Sequence, residues 1–348
     1  MFILVSFILF YLLAIFSTGE KPESQRKLLI ITCVILAFLA GNRDFYKWPD
    51  TLVYLNTFWE KTDDLFNFSF SNTISAYNEH GFRLLTSFVR TFTDSGTIYL
   101  LVVSSITFFV LYNCFHKYCV FPLLGVCDYI ARFYIGRDFV QIRQSLAIAI
   151  IFFAIQYVYT KDWKRYYVYI LIAYLFHKSS VVAVPFYFFS FFRYKKWHVV
   201  LGIILAFIAA ATLAPAIEST VDGWSSDLNY EMYSMDYHKR KELGLRNPLI
   251  YLQIFLLLYL TFFEKKLSHL SPYYFVFRNA YFYSTLILIL FCQYIELSGR
   301  TSTIFATVET AIVPLLAMSF KKSERLIFYV LSAIAMIYFF FLKTEFIE

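Results

Sequence analysis

The chain has 348 residues, 59% of them hydrophobic and only 16% charged, with a formal net charge of +7. A soluble domain is about 25% charged and roughly 45–50% apolar, so this composition excludes a soluble globular protein and indicates an all-α, polytopic integral membrane protein. The positive charge is no nucleic-acid signature, because basic residues in such chains gather in the loops that set orientation.

Taken in order, the first apolar run (Met1 to about Ser17) lacks a basic leader and a small-residue cleavage site, and reads as a retained anchor. A basic break with Lys21, Arg26 and Lys27 precedes a span near 28–42, and a polar outer loop follows at about 42–96. Further spans lie near 97–115, 119–135, 140–160, 198–216, 248–263, 273–295, 302–319 and 325–342, with a second outer loop at about 217–247. Residues 166–192 lie between two basic breaks and read as two short passes turning at His177; a single pass would put Arg193–Lys196 on the wrong side. About twelve helices result, with ten to thirteen as the range. The inner breaks hold most of the Lys and Arg, and the short outer ones only Arg137, Arg143, Lys178, Arg300 and Lys343. Both long loops and both chain ends are then outside. No repeat and no Gly/Ser- or Pro-rich linker divides the chain, so residues 1–348 read as one membrane domain. Cys33, Cys114, Cys119, Cys127 and Cys292 have no zinc-type pairing and read as free thiols.

Charged groups at membrane depth are costly and are functional candidates by default. The stretch Gly136–Pro185 holds several: Arg137-Asp138, then Arg143-Gln144, then His177-Lys178 inside the next apolar run. On a helix continuous from about Asp138, Arg137, Gln141 and Gln144 share a face and present planar donors to a phosphate or pyrophosphate, with Arg143 pointing elsewhere. Arg300, in Glu296–Thr301, stands at another outer mouth and is a candidate for the same anion. Arg132 and Arg278 lie inside spans and are expected to pair with carboxylates, carbonyls or a ligand phosphate.

The first outer loop carries Arg43-Asp44, Asp50 and Tyr54 one helical turn apart, and Glu79-His80 before Gly81-Phe82. Carboxylates and aromatic rings on one surface suit sugar hydroxyls and ring faces, and a carboxylate or His177 suits a general base. Residues 82–92 read as an amphipathic or re-entrant segment. The second loop, with Asp222, Asp227, Glu231, Asp236 and His238–Lys241, mixes charges without a pattern. There is no P-loop, GxGxxG, HExxH or GxSxG, and no DxD-like metal site. Neither cofactor nor metal is called for.

Arg143-Gln144-Ser145-Leu146-Ala147, Phe176-His177-Lys178-Ser179, Arg43-Asp44, Asp50…Tyr54, Glu79-x-Gly81-Phe82 and the late Arg300 together resemble the EpsG family, Wzy-like polymerases of bacterial O-antigen and exopolysaccharide pathways. The resemblance implies a glycosyltransferase that joins oligosaccharide repeat units carried on undecaprenyl pyrophosphate at the outer face of the cytoplasmic membrane. It uses the lipid-linked units as donor and acceptor, with a chain-length regulator as a further partner. It also implies pyrophosphate binding by Arg137, Arg143, Gln144 and Arg300, proton handling by His177, Glu79 and Asp50, and sugar contacts by Arg43, Asp44 and Tyr54. A flippase for the same lipid-linked sugars, an O-acetyltransferase and an O-antigen ligase are the alternatives.

Overall fold

Apolar residues three and four apart share one face of a helix, and α2 (Pro22–Gly41) shows what this chain does with them. Leu29, Cys33, Leu36, Ala37 and Ala40 are buried, while Ile31, Val34, Ile35 and Phe38 on the other side are exposed. A helix apolar on both its packed and its open face suits a lipid surround rather than water. The computed structural model describes residues 2–48, 50–69, 79–212 and 244–344, and among these all regular structure is helical. Pro49 and residues 70–78 of the first polar loop, and 213–243, which hold most of the second, lie outside the described residues.

Before α2 comes α1 (Phe2–Ser17); after it, α3 (Thr51–Val53) runs on as a π-helical stretch, Tyr54–Trp59. Then follow α4 (His80–Arg90), α5 (Gly96–Tyr118), α6 (Pro122–Tyr129, continued by a π-helical Ile130–Val140), α7 (Ile142–Tyr159) and α8 (Trp163–Phe176). A 3₁₀ segment, Lys178–Ala183, leads to α9 (Phe186–Phe189) and α10 (Lys196–Thr212). The remainder is α11 (Pro248–Phe262), α12 (Glu264–Leu267), α13 (Tyr274–Leu290), α14 (Ile295–Ala306), α15 (Glu309–Ala317) and α16 (Arg325–Thr344). Of these, α2, α5 and α7 are long and apolar enough to cross a membrane, and shorter apolar helical stretches include Lys178–Phe189, α10, α11 and α13.

The helices form two compact units. The first holds α1 to α6, α7 up to Tyr157, α8, α15 and α16; the second holds α9 to α14. In the first, α2 and α5 touch at backbone range: a Cβ on Gly41 would stand 2.6 Å from the Leu101 Cα, and Ser104 Oγ donates to the Ala37 carbonyl at 2.9 Å. Small residues at a crossing let membrane helices approach closely. The most enclosed span is α7, with 83% of its apolar window buried. The Tyr118 hydroxyl at the end of α5 donates to the Phe153 carbonyl at 3.0 Å, and Ile142 at the start of α7 clusters with Tyr99 and Leu100 at the start of α5. These two helices therefore run in the same direction, with α6 returning between them. The consequence is a single end of the first unit where the C-termini of α2 and α6 meet the N-termini of α5 and α7.

Both intramembrane arginines find carboxylates. Arg132 Nε donates to Glu309 Oε1 at 3.0 Å, with side chains only 4% and 2% exposed. In the second unit Arg278 Nη1 donates to Glu264 Oε2 at 2.5 Å and Nη2 to the Tyr194 carbonyl at 2.9 Å. Removing one partner of a fully buried pair strands the other, so Glu309→Ala is expected to cost about 3–5 kcal/mol in unfolding of the detergent-solubilised protein. Glu264 is 35% exposed, and Glu264→Ala is expected to cost clearly less; equal losses would contradict this account.

Candidate active site

The chain does not pass straight from α6 into α7. Gln141 adopts φ −101°, ψ 54°, outside the helical region, and its N–H bonds back to the Gly136 carbonyl at 3.2 Å. The continuous helix expected from Asp138 is broken there, so Arg137 and Gln144 do not form one ladder through Gln141. Asp138 holds the break. Its Oδ1 accepts from Ser145 Oγ and its Oδ2 from the Tyr129 hydroxyl, each at 2.7 Å. Its carbonyl accepts from Arg43 Nη1 at 3.0 Å.

Arg43 is itself buried. Nη1 also donates to the Ala40 carbonyl at 2.8 Å and Nε to Thr51 Oγ1 at 2.9 Å, which ties the end of α2 to α3. Burial pulls its guanidinium down to about 10, still charged at neutral pH, and its buried Nη2 has no hydrogen-bond partner among the described residues. Arg137 is buried too, its guanidinium 4.0 Å from the centre of the Phe133 ring.

Arg143, at the second residue of α7, forms an ion pair with the Glu79 carboxylate. Its guanidinium lies 4.9 Å from the Phe58 ring centre and 5.7 Å from that of Tyr54. These rings belong to a buried cluster with Phe82 and Tyr99, which covers the ion pair. Glu79 is brought there by α4, and Gly81 is what lets α4 in. A Cβ at that position would stand 2.8 Å from Leu175 Cβ and 2.9 Å from the Leu175 carbonyl oxygen. The start of α4 is thus seated on the last turn of α8, two residues before His177.

His177, half-buried, links the end of α8 to the 3₁₀ segment. Its Nδ1 lies 2.7 Å from Ser179 Oγ and accepts the Ser179 N–H at 3.2 Å, while Gln144 Nε2 donates to Ser179 Oγ at 3.4 Å. Arg143 and Gln144, adjacent in sequence, therefore reach Glu79 and the His177–Ser179 turn respectively. Tyr54 is buried, with its N–H bonded to the Asp50 carbonyl at 3.1 Å, and Asp50 is half-buried. Asp44 is exposed, its Oδ1 taking the Tyr46 N–H at 2.9 Å. Arg300 is half-buried in α14, within the second unit. Reading by sequence named Asp138 only as the neighbour of Arg137 and gave no role to Thr51, Ser145 or Ser179. The adjacency of Asp138 to Arg137 and the presence of both serines inside the RQS and FHKS motifs were the available signals.

Comparison with known proteins settles the class. A family model described as EpsG family matches residues 26–347, nearly the whole chain. The chain belongs to the EpsG family. No curated protein and no solved structure matches it. EpsG is a Wzy-like polymerase family, which makes this chain a membrane protein of polysaccharide biosynthesis, of a glycosyltransferase-like polymerase type.

In this EpsG-family chain the Gly81 contact is a steric requirement. Overpacking of this kind costs about 1–3 kcal/mol, and Gly81→Ala is expected to lower unfolding stability by that amount while pushing Glu79 away from Arg143. Leu175→Ala keeps both the Cβ and the carbonyl oxygen that a Gly81 Cβ would meet, so it should restore little. Wild-type stability and polymer length in Gly81→Ala would overturn the assignment.

Proposed function

We propose that this protein polymerises oligosaccharide repeat units carried on undecaprenyl pyrophosphate, at the outer face of a bacterial cytoplasmic membrane. The observation that carries the reading is the meeting, at one end of the first unit, of Arg143 with Glu79 and of Gln144 with the His177–Ser179 turn. These are residues of the motifs from which the resemblance to the family was drawn, and they bring planar cationic donors together with groups able to move a proton. The hydrogen-bond donors of Arg43, Arg137 and Arg143 suit the charge and geometry of a pyrophosphate. Asp44 and Tyr54 contact sugar in this reading. Between α2 and α5 an apolar groove of about 640 Å³, lined by Ile30, Val34, Phe38, Leu101, Phe108 and Phe109, suits a polyprenyl tail. It ends at Leu101, which packs on Gly41 at the site end of α2.

In the reaction, a hydroxyl oxygen of the acceptor unit forms the new glycosidic bond to the anomeric carbon of the growing chain. The bond from that carbon to the pyrophosphate oxygen breaks, and the electron pair leaves with the lipid carrier. The hydroxyl proton passes to one of Glu79, Asp50 or His177. Arginine donors stabilise the pyrophosphate as charge gathers on it, the point at which preorganised donors lower a barrier.

The test is the length distribution of surface polysaccharide in a deletion strain complemented with wild type or Arg143→Ala at equal expression. Wild type should restore long chains. Arg143→Ala should leave mostly single units, since losing a charge-assisted bond to the leaving group costs about tenfold or more in rate. Loss of all surface sugar in the deletion strain would favour a flippase. Long polymer retained on its lipid carrier would favour a ligase. Wild-type ladders from Arg143→Ala would remove this arginine from the site.

A further inference from the structure

We propose that α4 lies in the plane of the membrane surface with its outer face in the acyl chains of the lipid, so that the polar first loop is tied into the bilayer and Glu79 is held at headgroup depth. The polarity of the helix carries the inference, because it is inverted. Side chains four apart share a face of a helix. Leu84 and Phe88, with Phe92 one turn further on, are 41%, 50% and 74% exposed. The Phe88 and Phe92 rings meet edge to face, 5.2 Å between centres. The hydrophilic side chains point the other way. Arg83, Thr86 and Ser87 are buried, with Phe82 and Val89 packed inward beside them, and no charged side chain of α4 is exposed. Thr86 Oγ1 donates to the Phe82 carbonyl at 2.9 Å, Arg83 Nη2 to the Ser69 carbonyl at 3.0 Å, and Arg90 Nη1 to the Trp59 carbonyl. A helix facing water shows its polar side chains and hides the large apolar ones. This helix does the reverse on its open side.

The contacts of α4 set its level. Glu79, its N-cap, pairs with Arg143 at the second residue of α7, and Gly81 seats on the last turn of α8. Thr86 Oγ1 lies 3.2 Å from the Tyr99 hydroxyl oxygen, in the first turn of α5. Neighbouring helices are thus touched at their ends, all on one side of the first unit. A segment re-entering the bundle would instead reach the middle of these spans. Because α5 and α7 are long and apolar enough to cross a membrane, their first turns stand where hydrocarbon gives way to headgroups. Amphipathic helices at that boundary lie in its plane, with the apolar face about 5–10 Å into the headgroup and acyl layer. The loop beside α4 shares the surface: the Leu65 N–H donates to Thr91 Oγ1 at 3.0 Å, and Leu65 and Phe66 are both exposed. Ile98, in the first turn of α5, is exposed as well, so the open apolar surface at this level belongs to span and loop helix alike. That continuity makes acyl chain the occupant. The inference needs only the membrane class of the chain; in the polymerase reading, the Glu79–Arg143 pair then sits at the depth of the carrier's pyrophosphate.

Nitroxide labels on the full chain in liposomes test the depth. The five native cysteines are buried, so Leu84→Cys, Phe88→Cys and Phe92→Cys each add one accessible thiol. Lys61→Cys, at an exposed position of the same loop, is the water-facing control. Protein without an added cysteine sets the labelling background. Relaxation of the label by oxygen, which gathers among acyl chains, is compared with relaxation by a water-soluble nickel chelate. Oxygen is expected to dominate at the three ridge positions and the chelate at the control. Dominance of the chelate along the ridge would place α4 in water and overturn the proposal. Little relaxation by either agent would mean that protein covers the ridge, which overturns it too; line broadening that grows with the labelled fraction would then identify a second copy as the cover. A variant that fails to fold at one position leaves the other two to decide. No substrate is added, so a failure here leaves the polymerase reading intact, and a failure of chain growth leaves the depth measurement unaffected.

Discussion

The site end of the first unit depends on one buried ion pair, Arg143 with Glu79. Neither charge is affordable at this depth alone, and once paired each fixes the other's backbone. Glu79 precedes α4 in the long first loop, and Arg143 stands in the first turn of α7. The pair therefore anchors a loop that composition alone would leave solvated to the most enclosed of the three long apolar helices among the described residues. The rings of Tyr54, Phe58 and Phe82 keep water from it, and that low-dielectric cover strengthens the attraction that pays for the desolvation.

A second layer keeps this arrangement in place. Asp138 accepts from Ser145 and Tyr129 and offers its carbonyl to Arg43, so the ends of α2, α6 and α7 are joined through one residue. Both π-helical stretches, Tyr54–Trp59 and Ile130–Val140, belong to this end of the unit. Wide turns of this kind displace side chains from regular helical register and recur at functional sites. Here they help explain why Arg137 is buried against Phe133 and why the chain can turn at Gln141.

Much of this was legible in the residues. All-helical membrane architecture follows from composition, and Arg132 and Arg278 were expected to pair with carboxylates, carbonyls or a ligand phosphate because lone charges in lipid are unstable. The break at His177 showed as a polar interruption in an apolar run. The expectation that Arg137, Gln141 and Gln144 share one face assumed an unbroken helix, and Gln141 interrupts it. Arg143 was expected to point away, yet it makes the central contact. The contacts of Asp138 and Ser179 could not be read for another reason: they depend on partners distant in sequence or on a local turn, and single-chain patterning reports neither. Arg43 and Tyr54 read as loop-surface residues because the loop is polar on average, whereas both are buried by contacts that average does not contain.

The most direct measurement is made on the purified protein in liposomes supplied with lipid-pyrophosphate-linked repeat units as the sole sugar source. Chain length and released carrier are followed together. The account predicts a ladder of products that lengthens with time, with one lipid pyrophosphate freed for every glycosidic bond formed. Lipid-linked sugar crossing the bilayer with no ladder and no carrier release would contradict it.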